Sequence, residues 1–574
     1  MGLEGKALKD DPFRALDLRL RLIVAGAWRT IARGNQYRIV MNGPKIDVIV
    51  VGAGFAGVYA VHKLRQLGFS VRAFEAGGDV GGTWYWNRYP GCRCDIESIY
   101  YSYQFDDDLQ QEWEWTERYA SQPEILSYIR HVADRFDLRR DIQFNTRVTA
   151  ATFEEAADQT PSHWTVTTDD GQTHQARFCI MASGVLSTPN LPDIPGRDTF
   201  AGDTYHTGRW PHEAVDFTGL KVAVIGTGSS GIQCIPLIAA QADHVTVFQR
   251  TPNYAVPASN RSLDPDELND VKSRYGEIRA ASKKGFTALP FKPAGRSALA
   301  VSDQEREAVY EQWWGNFGLV FQGAFADLLF DAKANRTASE FVRRKIRELV
   351  DDEKVAELLT PDFPLGCKRM CVDTDYYPTY NRANVTLVDI SRAPIDGIVP
   401  EGICTGGTVH AVDAIVFATG YDAITGALLA MDLQGRNGLS LREKWIEGPR
   451  VYLGVATHGF PNLFMVNGPG SPSVLINMVT GVEQHVDWIA DCLVHMRERG
   501  LDAIEAQAQH EDDWAVHNEE VAQRSIRGNC ASWYTGANIP GKPGGFLPYV
   551  GGFPAYVERC EQVVEEGYVG FALT

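Results

Sequence analysis

Two apolar runs of β-strand type, Asp47–Val51 and Lys221–Ile225, are each followed by a glycine-rich turn and then by a helix-like stretch. A strand, a Gly-x-Gly-x-x-Gly turn and a helix together form the phosphate-cradling unit of dinucleotide-binding folds. The first glycine permits a tight turn, the second lets the backbone approach the pyrophosphate, and the third lets the helix pack on the strand. The first turn contributes Gly52, Gly54 and Gly57, and the second contributes Gly226, Gly228, Ser229 and Gly231. The repeated pattern predicts that the chain holds two dinucleotides at once.

The next strand of each unit ends in a different residue type, at the position where the adenosine ribose is read. The strand Ser70–Glu75 ends in a carboxylate, which accepts hydrogen bonds from a free 2′-hydroxyl, so Glu75 indicates FAD or NAD. The strand His244–Thr251 ends in an amide, a guanidinium and a hydroxyl. Arg250 and Thr251 suit a 2′-phosphate and therefore NADP. The alternative is that these are ordinary charges at solvated strand ends, and their register with the glycines favours binding.

The remaining pattern predicts an α/β fold with two Rossmann-like dinucleotide-binding domains. Closely spaced prolines after residue 188 indicate a linker, because proline prevents helix continuation. Helical character from about Pro265 to Leu359 indicates an insertion in the second domain, strands resume at Val385–Val388, and Ala414–Gly420 returns the chain to the first domain. The predicted segments are an N-terminal extension (1–44), the first domain (45–185), a linker and the second domain (186–255), a helical insertion (256–364), the rest of the second domain (365–412), and the rest of the first domain with a closing loop (413–574).

Length and charge narrow the classes of function. At 574 residues the chain is long enough for two or three domains. Its net charge of -18 disfavours nucleic acids and anionic bilayers, since like charges repel. We see no secretory leader and no apolar run long enough to span a bilayer. We therefore expect a cytoplasmic enzyme without a nucleic-acid partner or a transmembrane segment, and the pattern leaves its oligomeric state open.

The first 44 residues have a different character from the rest of the chain. They carry eight Lys or Arg against four Asp or Glu, and six apolar residues from Phe13 to Ile31 follow helical spacing. An amphipathic helix could touch a membrane surface or act as a targeting arm. We favour a helix packed on the enzyme body, or an extension ahead of Met41.

The ten cysteines are scattered along the chain. Cys92 and Cys94 are two residues apart and Cys367 and Cys371 are four apart, so neither pair has the spacing of a thioredoxin-like centre. We interpret them as small buried residues. Zinc-like spacing with further Cys or His ligands is missing from the sequence, so we expect no metal.

The segment Phe200–Pro211, between the two units, fits the pattern Phe-x-Gly-x3-His-x3-Trp-Pro without a departure. Its fixed positions include Phe200, Gly202, His206 and Trp210. The segment resembles the signature of the class B flavin-dependent (type I) Baeyer-Villiger monooxygenases. The related N- and S-oxygenating flavoproteins usually carry Tyr or Phe in place of this tryptophan.

Two further segments, residues 81–95 and 413–422, also keep the spacing of this family, and the resemblance extends from about Lys45 to the C-terminus. It implies an FAD domain, an NADP domain and a helical insert. It further implies that NADPH and O2 convert a ketone to an ester or lactone through a C4a-peroxyflavin. In that reaction a fixed guanidinium can stabilise the peroxide anion.

The resemblance also implies roles for single residues. Within the segment 364–369, Lys368 matches the contact to the NADP 2′-phosphate and Arg369 matches the guanidinium facing the peroxyflavin. Asp95 looks like the carboxylate that orients Arg369, and Trp84 like a residue packed in the core or on the cofactor. The alternative for Arg369 is a structural ion pair.

The segment 532–542 resembles the family loop that closes over the nicotinamide, with Trp533 as its anchor. Closure would retain NADP and exclude water. The alternative is an ordinary glycine-rich surface loop. His206 could be read as a general base, since imidazole titrates near neutral pH, but the resemblance implies a positional role at the domain linker.

Three other functions compete with ketone oxygenation. An N- or S-oxygenating flavoprotein is the closest alternative, and Trp210 with Arg369 favours the ketone oxygenase over it. An NADPH-driven disulfide reductase would require a closely spaced cysteine pair that the sequence lacks. A non-enzymatic redox sensor would bind the cofactors tightly without turnover.

Overall fold

The computed structural model describes residues 46–157, 161–292 and 294–574. The predicted helix within residues 1–44 lies outside these ranges. The strands are β1 (Ile46–Val51), β2 (Val71–Phe74), β3 (Ile142–Gln143), β4 (Val148–Glu154), β5 (His163–Thr168), β6 (Thr173–Met181), β7 (Asp203–His206), β8 (Lys221–Ile225), β9 (His244–Gln249), β10 (Ala255–Pro257), β11 (Cys371–Asp373), β12 (Val385–Asp389), β13 (Ile395–Val399), β14 (Gly402–Thr405), β15 (Thr408–Ala411), β16 (Ala414–Phe417), β17 (Asp432–Gln434), β18 (Leu463–Met465), β19 (Ile504–Ala506) and β20 (Phe571–Leu573).

The α-helices are α1 (Phe55–Gln66), α2 (Thr83–Trp86), α3 (Asp107–Glu112), α4 (Gln122–Arg135), α5 (Ser229–Gln241), α6 (Pro265–Ser273), α7 (Tyr275–Lys284), α8 (Asp303–Trp314), α9 (Ala332–Leu349), α10 (Glu353–Leu359), α11 (Tyr376–Thr379), α12 (Gly426–Leu429), α13 (Leu441–Lys444), α14 (Met478–Arg499), α15 (Ala508–Gln523) and α16 (Phe553–Glu565). In the described part of the chain, no helix combines the length and apolarity needed to cross a bilayer.

The first sheet has the strand order β17-β4-β5-β6-β1-β2-β3, and β18 also pairs with β6. β1 runs parallel to both β2 and β6, whereas β4, β5 and β6 form an antiparallel meander. Val48, Ile49 and Val50 in β1 are fully buried. A parallel strand that is covered on both faces consists of a continuous run of apolar residues. For this reason β1 could be predicted clearly from the sequence.

The second sheet is entirely parallel, with the order β12-β9-β8-β16-β7. Its edge strand β7 is formed by part of the Phe200–Pro211 segment. The prediction that Ala414–Gly420 returns the chain to the first domain was wrong for the strand itself: β16 lies between β8 and β7, and β17 is the next strand to join the first sheet. The pattern could not separate these possibilities, because a buried apolar strand reads alike in either sheet.

Five described helices, α6 to α10, lie between β10 and β11 along the chain. The two strands pair with each other in parallel. Four of the five helices begin at a side-chain cap. The capping residues are Asp264, Ser302, Asp331 and Asp352. Such caps satisfy backbone N–H groups that a helix start leaves unpaired, so the sequence marks where each helix begins. The predicted α/β fold with two Rossmann-like units and a helical insertion is confirmed.

Candidate active site

The two glycine turns make the same contacts in both sheets. Gly52 and Gly226 have φ of +106° and +109°, and a Cβ on either would lie 2.5 Å from the carbonyl oxygen of the residue after β6 or β16, respectively. A Cβ on Gly57 would lie 1.8 Å from the Gly52 oxygen, and one on Gly231 would lie 2.2 Å from the Gly226 oxygen. The first and third glycines are therefore required by packing between strand and helix.

The second glycine of each turn faces the space that a ligand would need. A Cβ on Gly228 would meet nothing within 4 Å, and one on Gly54 would meet only backbone atoms of Gly82, at 3.3 Å or more. Among the described residues no side chain caps the start of α1 or α5, which leaves N–H groups of each first turn for a ligand. Ser229 is the first residue of α5, and its Oγ lies 3.2 Å from Cys371 Sγ. Both turns thus fit the pyrophosphate of a dinucleotide.

Glu75 lies immediately after β2 and is 5% exposed. Its two carboxylate oxygens accept hydrogen bonds from the backbone N–H groups of Ala53 and Gly77, both at 2.7 Å. Burial raises its pKa, and these two hydrogen bonds oppose the rise. Each oxygen keeps a further lone pair for a ribose hydroxyl, so Glu75 fits the predicted contact with the adenosine.

Two cations meet where β9 ends. Burial lowers the pKa of Lys368, and the nearby charge of Arg250 lowers it further, while Asp362 opposes the change. Within the described ranges neither cation forms an ion pair with a carboxylate. Thr251 is next to Arg250, and its carbonyl accepts the Thr227 hydroxyl at 3.0 Å. Two neighbouring cations that form no ion pair among the described residues fit a bound phosphate.

Arg369 and Asp95 form a bidentate ion pair although 274 residues separate them. The guanidinium Nε and Nη2 donate to the two carboxylate oxygens of Asp95, each at 2.9 Å. The remaining Nη1 donates to the carbonyl oxygen of Val474 at 2.8 Å. Burial works against the charge on Arg369, but the Asp95 carboxylate outweighs it and raises the pKa. The guanidinium is therefore a fixed, permanent cation.

Trp84 belongs to the short helix α2, which is preceded by Gly82 and so adjoins the first glycine turn. The indole is 6% exposed, and its Nε1 donates to the Tyr101 hydroxyl at 3.3 Å. Trp84 is thus a packed residue beside the first glycine turn.

His206 lies at the junction between β7 and the linker. Its Nδ1 accepts a hydrogen bond from the Gly208 N–H at 3.0 Å, and its Nε2 lies 3.3 Å from Thr419 Oγ1. Burial lowers its pKa. Because Nδ1 is an acceptor, Nε2 carries the proton and the ring is neutral. Both nitrogens are engaged, which fits a positional role better than proton transfer.

The other fixed positions of the Phe200–Pro211 segment are structural. A Cβ on Gly202 would lie 2.1 Å from the Asp413 carbonyl oxygen, so this position must be glycine for β7 to approach β16. Trp210 is 5% exposed, with its ring stacked on Tyr205 at 5.2 Å between centroids. Phe200 packs on the core of the second sheet. The segment therefore fixes the edge strand next to the linker.

Tyr421 lies shortly after β16 and contacts three other segments of the chain. This role was not predicted. Its hydroxyl donates to Asn87 Oδ1, and its carbonyl accepts the Asn538 amide at 2.8 Å. A Cβ on Gly208 would lie 2.7 Å from its ring. The sequence signal was present, because Tyr421 stands inside the third family-like segment, but only the fold reveals its contacts.

Trp533 begins a short 3-10 helix, Trp533–Thr535, in the predicted closing loop. Its ring centroid lies 4.2 Å from that of Tyr534, which is buried against the core. Farther along, Lys542 Nζ forms an ion pair with Asp422 and donates to the Ala423 carbonyl at 2.8 Å. The loop therefore rests on residues 421–423, which follow β16.

Cys367 is buried, as expected, but it is not a free thiol. Cys367 and Cys530 form a disulfide with a Cα–Cα distance of 5.5 Å. The two cysteines are 163 residues apart, and disulfide pairing cannot be read from spacing at that range. Cys92, Cys94 and Cys371 are buried free thiols, as expected. Among the described residues, His, Cys, Asp and Glu form no group of three or more that could hold a metal ion.

Comparisons with known proteins agree with this geometry. The family model described as pyridine nucleotide-disulphide oxidoreductase matches residues 49–296. A Baeyer-Villiger monooxygenase of Pseudooceanicola batsensis is 42% identical over 531 residues, 92% of this chain and 96% of the relative. The structure of an oxidized steroid monooxygenase bound to NADP is 51% identical, with a TM-score of 0.87, over 92% of this chain and 99% of that chain. OTEMO in complex with FAD and NADP is 41% identical, with a TM-score of 0.89, over 93% of this chain and 100% of that chain.

Proposed function

The chain belongs to the flavin-dependent Baeyer-Villiger monooxygenases, and from this premise we infer that it uses NADPH and O2 to insert one oxygen atom beside a ketone carbonyl. The product is an ester or, from a cyclic ketone, a lactone. The observation that supports this reaction best is the Arg369–Asp95 pair, because it provides a fixed cation at a site assembled from distant parts of the chain.

We assign FAD to the turn with Gly52, Gly54 and Gly57, and NADP to the turn with Gly228. The segments 45–185 and 418–574 then contribute to the FAD domain, and 186–255 and 365–417, including β16, to the NADP domain. Bound FAD, once reduced by NADPH, supplies the chemistry of oxygen activation. The protein contributes binding, orientation and charge.

Arg369 is the proposed catalytic residue. A guanidinium keeps its charge at every working pH, so it stabilises developing negative charge on oxygen without exchanging a proton. Asp95 is a positioning residue, since its two hydrogen bonds fix the plane of the guanidinium. Val474 holds the third nitrogen from another element of the fold.

Arg250, Thr251 and Lys368 are the proposed contacts to the NADP 2′-phosphate. Burial and, after it, the charge of Arg250 lower the pKa of Lys368, and a phosphate dianion beside the two cations would favour the charged form of Lys368. His206, Thr419 and Tyr421 connect the linker to the edge strand. We propose that this group holds the two dinucleotide sites in register while the loop with Trp533 retains the nicotinamide.

Two alternatives have less support. Trp210 stands where the N- and S-oxygenating flavoproteins usually carry Tyr or Phe, and oxygen transfer to a nitrogen or sulfur lone pair has less need of a fixed cation. A disulfide reductase would need closely spaced redox cysteines, whereas Cys367 and Cys530 are far apart in sequence. We further propose that the enzyme is cytoplasmic and that it has no nucleic-acid partner, since its net charge of -18 repels polyanions.

The test is a balance of reagents and products with the FAD-loaded enzyme. A panel of linear, cyclic and polycyclic ketones, with a thioether and a tertiary amine, is incubated with NADPH in an oxygen electrode. We expect at least one ketone to give ester or lactone in a one-to-one ratio with NADPH and O2 consumed. Oxidation of the thioether or amine with every ketone returned unchanged would contradict the proposal, and cofactor binding without turnover would support the sensor alternative.

A further inference from the structure

The Cys367–Cys530 disulfide joins two parts of the chain that the proposed reaction needs close together. Cys367 immediately precedes Lys368 and Arg369. Cys530 lies three residues before Trp533 and so immediately precedes the proposed closing loop, residues 532–542. The bond is therefore a covalent link between the segment carrying the catalytic guanidinium and the proposed closing loop.

The Cys367 side of this link is rigid. The neighbouring Leu365 N–H donates to Asn335 Oδ1 at 3.1 Å and to Ser339 Oγ at 3.0 Å, and the Leu365 carbonyl accepts the Asn335 amide at 2.8 Å. Asn335 and Ser339 are buried in the 18-residue helix α9. The turn that carries Cys367 is thus fixed to the helical insertion.

The Cys530 side is held by weaker, separate contacts. The Ile526 N–H donates to the Leu329 carbonyl at 2.9 Å, and Arg527 Nη2 donates to Gln322 Oε1 at 2.8 Å. Single hydrogen bonds of this kind contribute little net stability. When the disulfide is reduced, the segment around Cys530 keeps only such contacts, whereas Tyr534, Asn538 and Lys542 still anchor the rest of the loop. We therefore expect the segment around Cys530 to open more often.

The surroundings of the pair favour thiolate chemistry. Cys530 is partly exposed, so a small oxidant can reach it, whereas Cys367 is 4% exposed. Lys368, Arg369 and Arg527 lie within three residues of one of the two cysteines along the chain. Burial and, after it, the charge of Arg369 lower the pKa of Arg527. Reactive cysteines are found in such electropositive, partly exposed settings.

We propose that Cys367 and Cys530 are a redox modification site, and that their oxidation by hydrogen peroxide fastens the C-terminal loop over the Lys368–Arg369 segment. The source of the peroxide rests on the proposed function, because a flavin oxygenase releases hydrogen peroxide when oxygen is reduced without a ketone to accept it. Hydrogen peroxide released without ketone oxygenation therefore oxidises the pair and keeps the loop closed over the site.

The chemistry balances in two steps. The Cys530 thiolate attacks hydrogen peroxide, an S–O bond forms, the O–O bond breaks, and a sulfenic acid and hydroxide result, the latter protonated to water. The Cys367 thiolate then attacks the sulfenic sulfur, the S–S bond forms and the second oxygen leaves as water. Overall, two thiols and one hydrogen peroxide give one disulfide and two waters. A thiol reductant reverses the change by exchange.

The test follows the thiols and the loop without any turnover. FAD-loaded enzyme is reduced with dithiothreitol, desalted, divided, and one half is treated with hydrogen peroxide. Alkylation and peptide mass spectrometry then count free Cys367 and Cys530, and limited trypsin digestion follows cleavage after Arg524 and Arg527, which lie shortly before Cys530. We expect peroxide to convert both thiols into one cross-linked peptide and to slow cleavage at these two sites by about tenfold.

Two variants complete the test. Cys530→Ser changes a partly exposed position, so it should fold, and the two sites should be cleaved at the reduced rate with or without peroxide. Cys404→Ser removes a half-buried free thiol on β14 and should behave like the wild type. Both thiols remaining alkylatable after peroxide, or equal cleavage rates in the two redox states, would overturn the proposal. Failure of every ketone to react, with the redox effect intact, would overturn the proposed function and not the modification site.

Discussion

Asp95→Asn tests how far catalysis depends on the orientation of Arg369. The asparagine keeps the shape of the aspartate but removes its charge. It also replaces one of the two accepting oxygens with an NH2 group, which would face an N–H donor of the guanidinium. Of the two 2.9 Å hydrogen bonds, one would be lost and the other would no longer be charge-assisted at its acceptor.

The magnitude follows from these bonds. A hydrogen bond to a charged group contributes ~2 kcal/mol net. Both side chains of the pair are about a fifth exposed, at 23% and 20%, so we do not expect the larger loss seen when fully buried ion pairs are broken. If this loss raises the activation free energy by ~2 kcal/mol, the rate of ester formation falls by about 30-fold.

The assay measures ester, NADPH and hydrogen peroxide in the same reaction. We expect Asp95→Asn to keep consuming NADPH while most of the oxygen appears as hydrogen peroxide. Glu505→Gln is the matched control, since it weakens a similar ion pair with Arg436 away from the site. A purely structural role for Asp95 would lower the melting temperature without shifting the ratio of ester to peroxide. Normal ester yield per NADPH in the variant would refute the reasoning.

Three further predictions concern cofactor binding and stability. Arg250→Ala and Lys368→Ala should each weaken NADPH binding by about 10- to 100-fold and NADH binding far less, because only NADPH carries the phosphate, so equal losses in titrations would exclude the phosphate site. Gly228→Ala should fold normally, since its Cβ meets nothing within 4 Å, yet raise the KM for NADPH, whereas Gly231→Ala, whose Cβ would lie 2.2 Å from the Gly226 oxygen, should lower the melting temperature; the opposite order would contradict the turn geometry. Burial lowers the pKa of His485 to about 4. The unfolded chain therefore binds a proton that the folded chain does not between pH 6.5 and about 4, and this histidine should cost about 1.4 kcal/mol of stability for each pH unit lost in that window. Denaturant unfolding of wild type and His485→Gln across this range checks the slope, which should be shallower in the variant.

Most of the fold could be predicted from local sequence patterns. β1 and β8 are buried parallel strands, so their apolar runs were unambiguous, and the third glycine after each strand is required by its contact with the first glycine of the same turn. The caps of the helical insertion also lie next to the helices they start. The placement of β16 was the exception, because the pattern identifies a strand but not the sheet that it joins.

The site depended on long-range contacts. Arg369 and Asp95 are 274 residues apart, and only the resemblance to a known family connected them in advance. The Cys367–Cys530 bond had no such signal, since neither cysteine has a distinctive spacing. The contacts of Tyr421 with Asn87 and Asn538 likewise depend on how the linker, the first domain and the loop come together.

Arg369→Ala tests the central claim most directly. The variant is loaded with FAD, and anaerobic reduction by NADPH is followed at the flavin absorbance before ketone and oxygen are added. The account predicts flavin reduction close to the wild-type rate and no detectable ester or lactone, with the consumed oxygen recovered as hydrogen peroxide. Ester or lactone formed at the wild-type yield would contradict it.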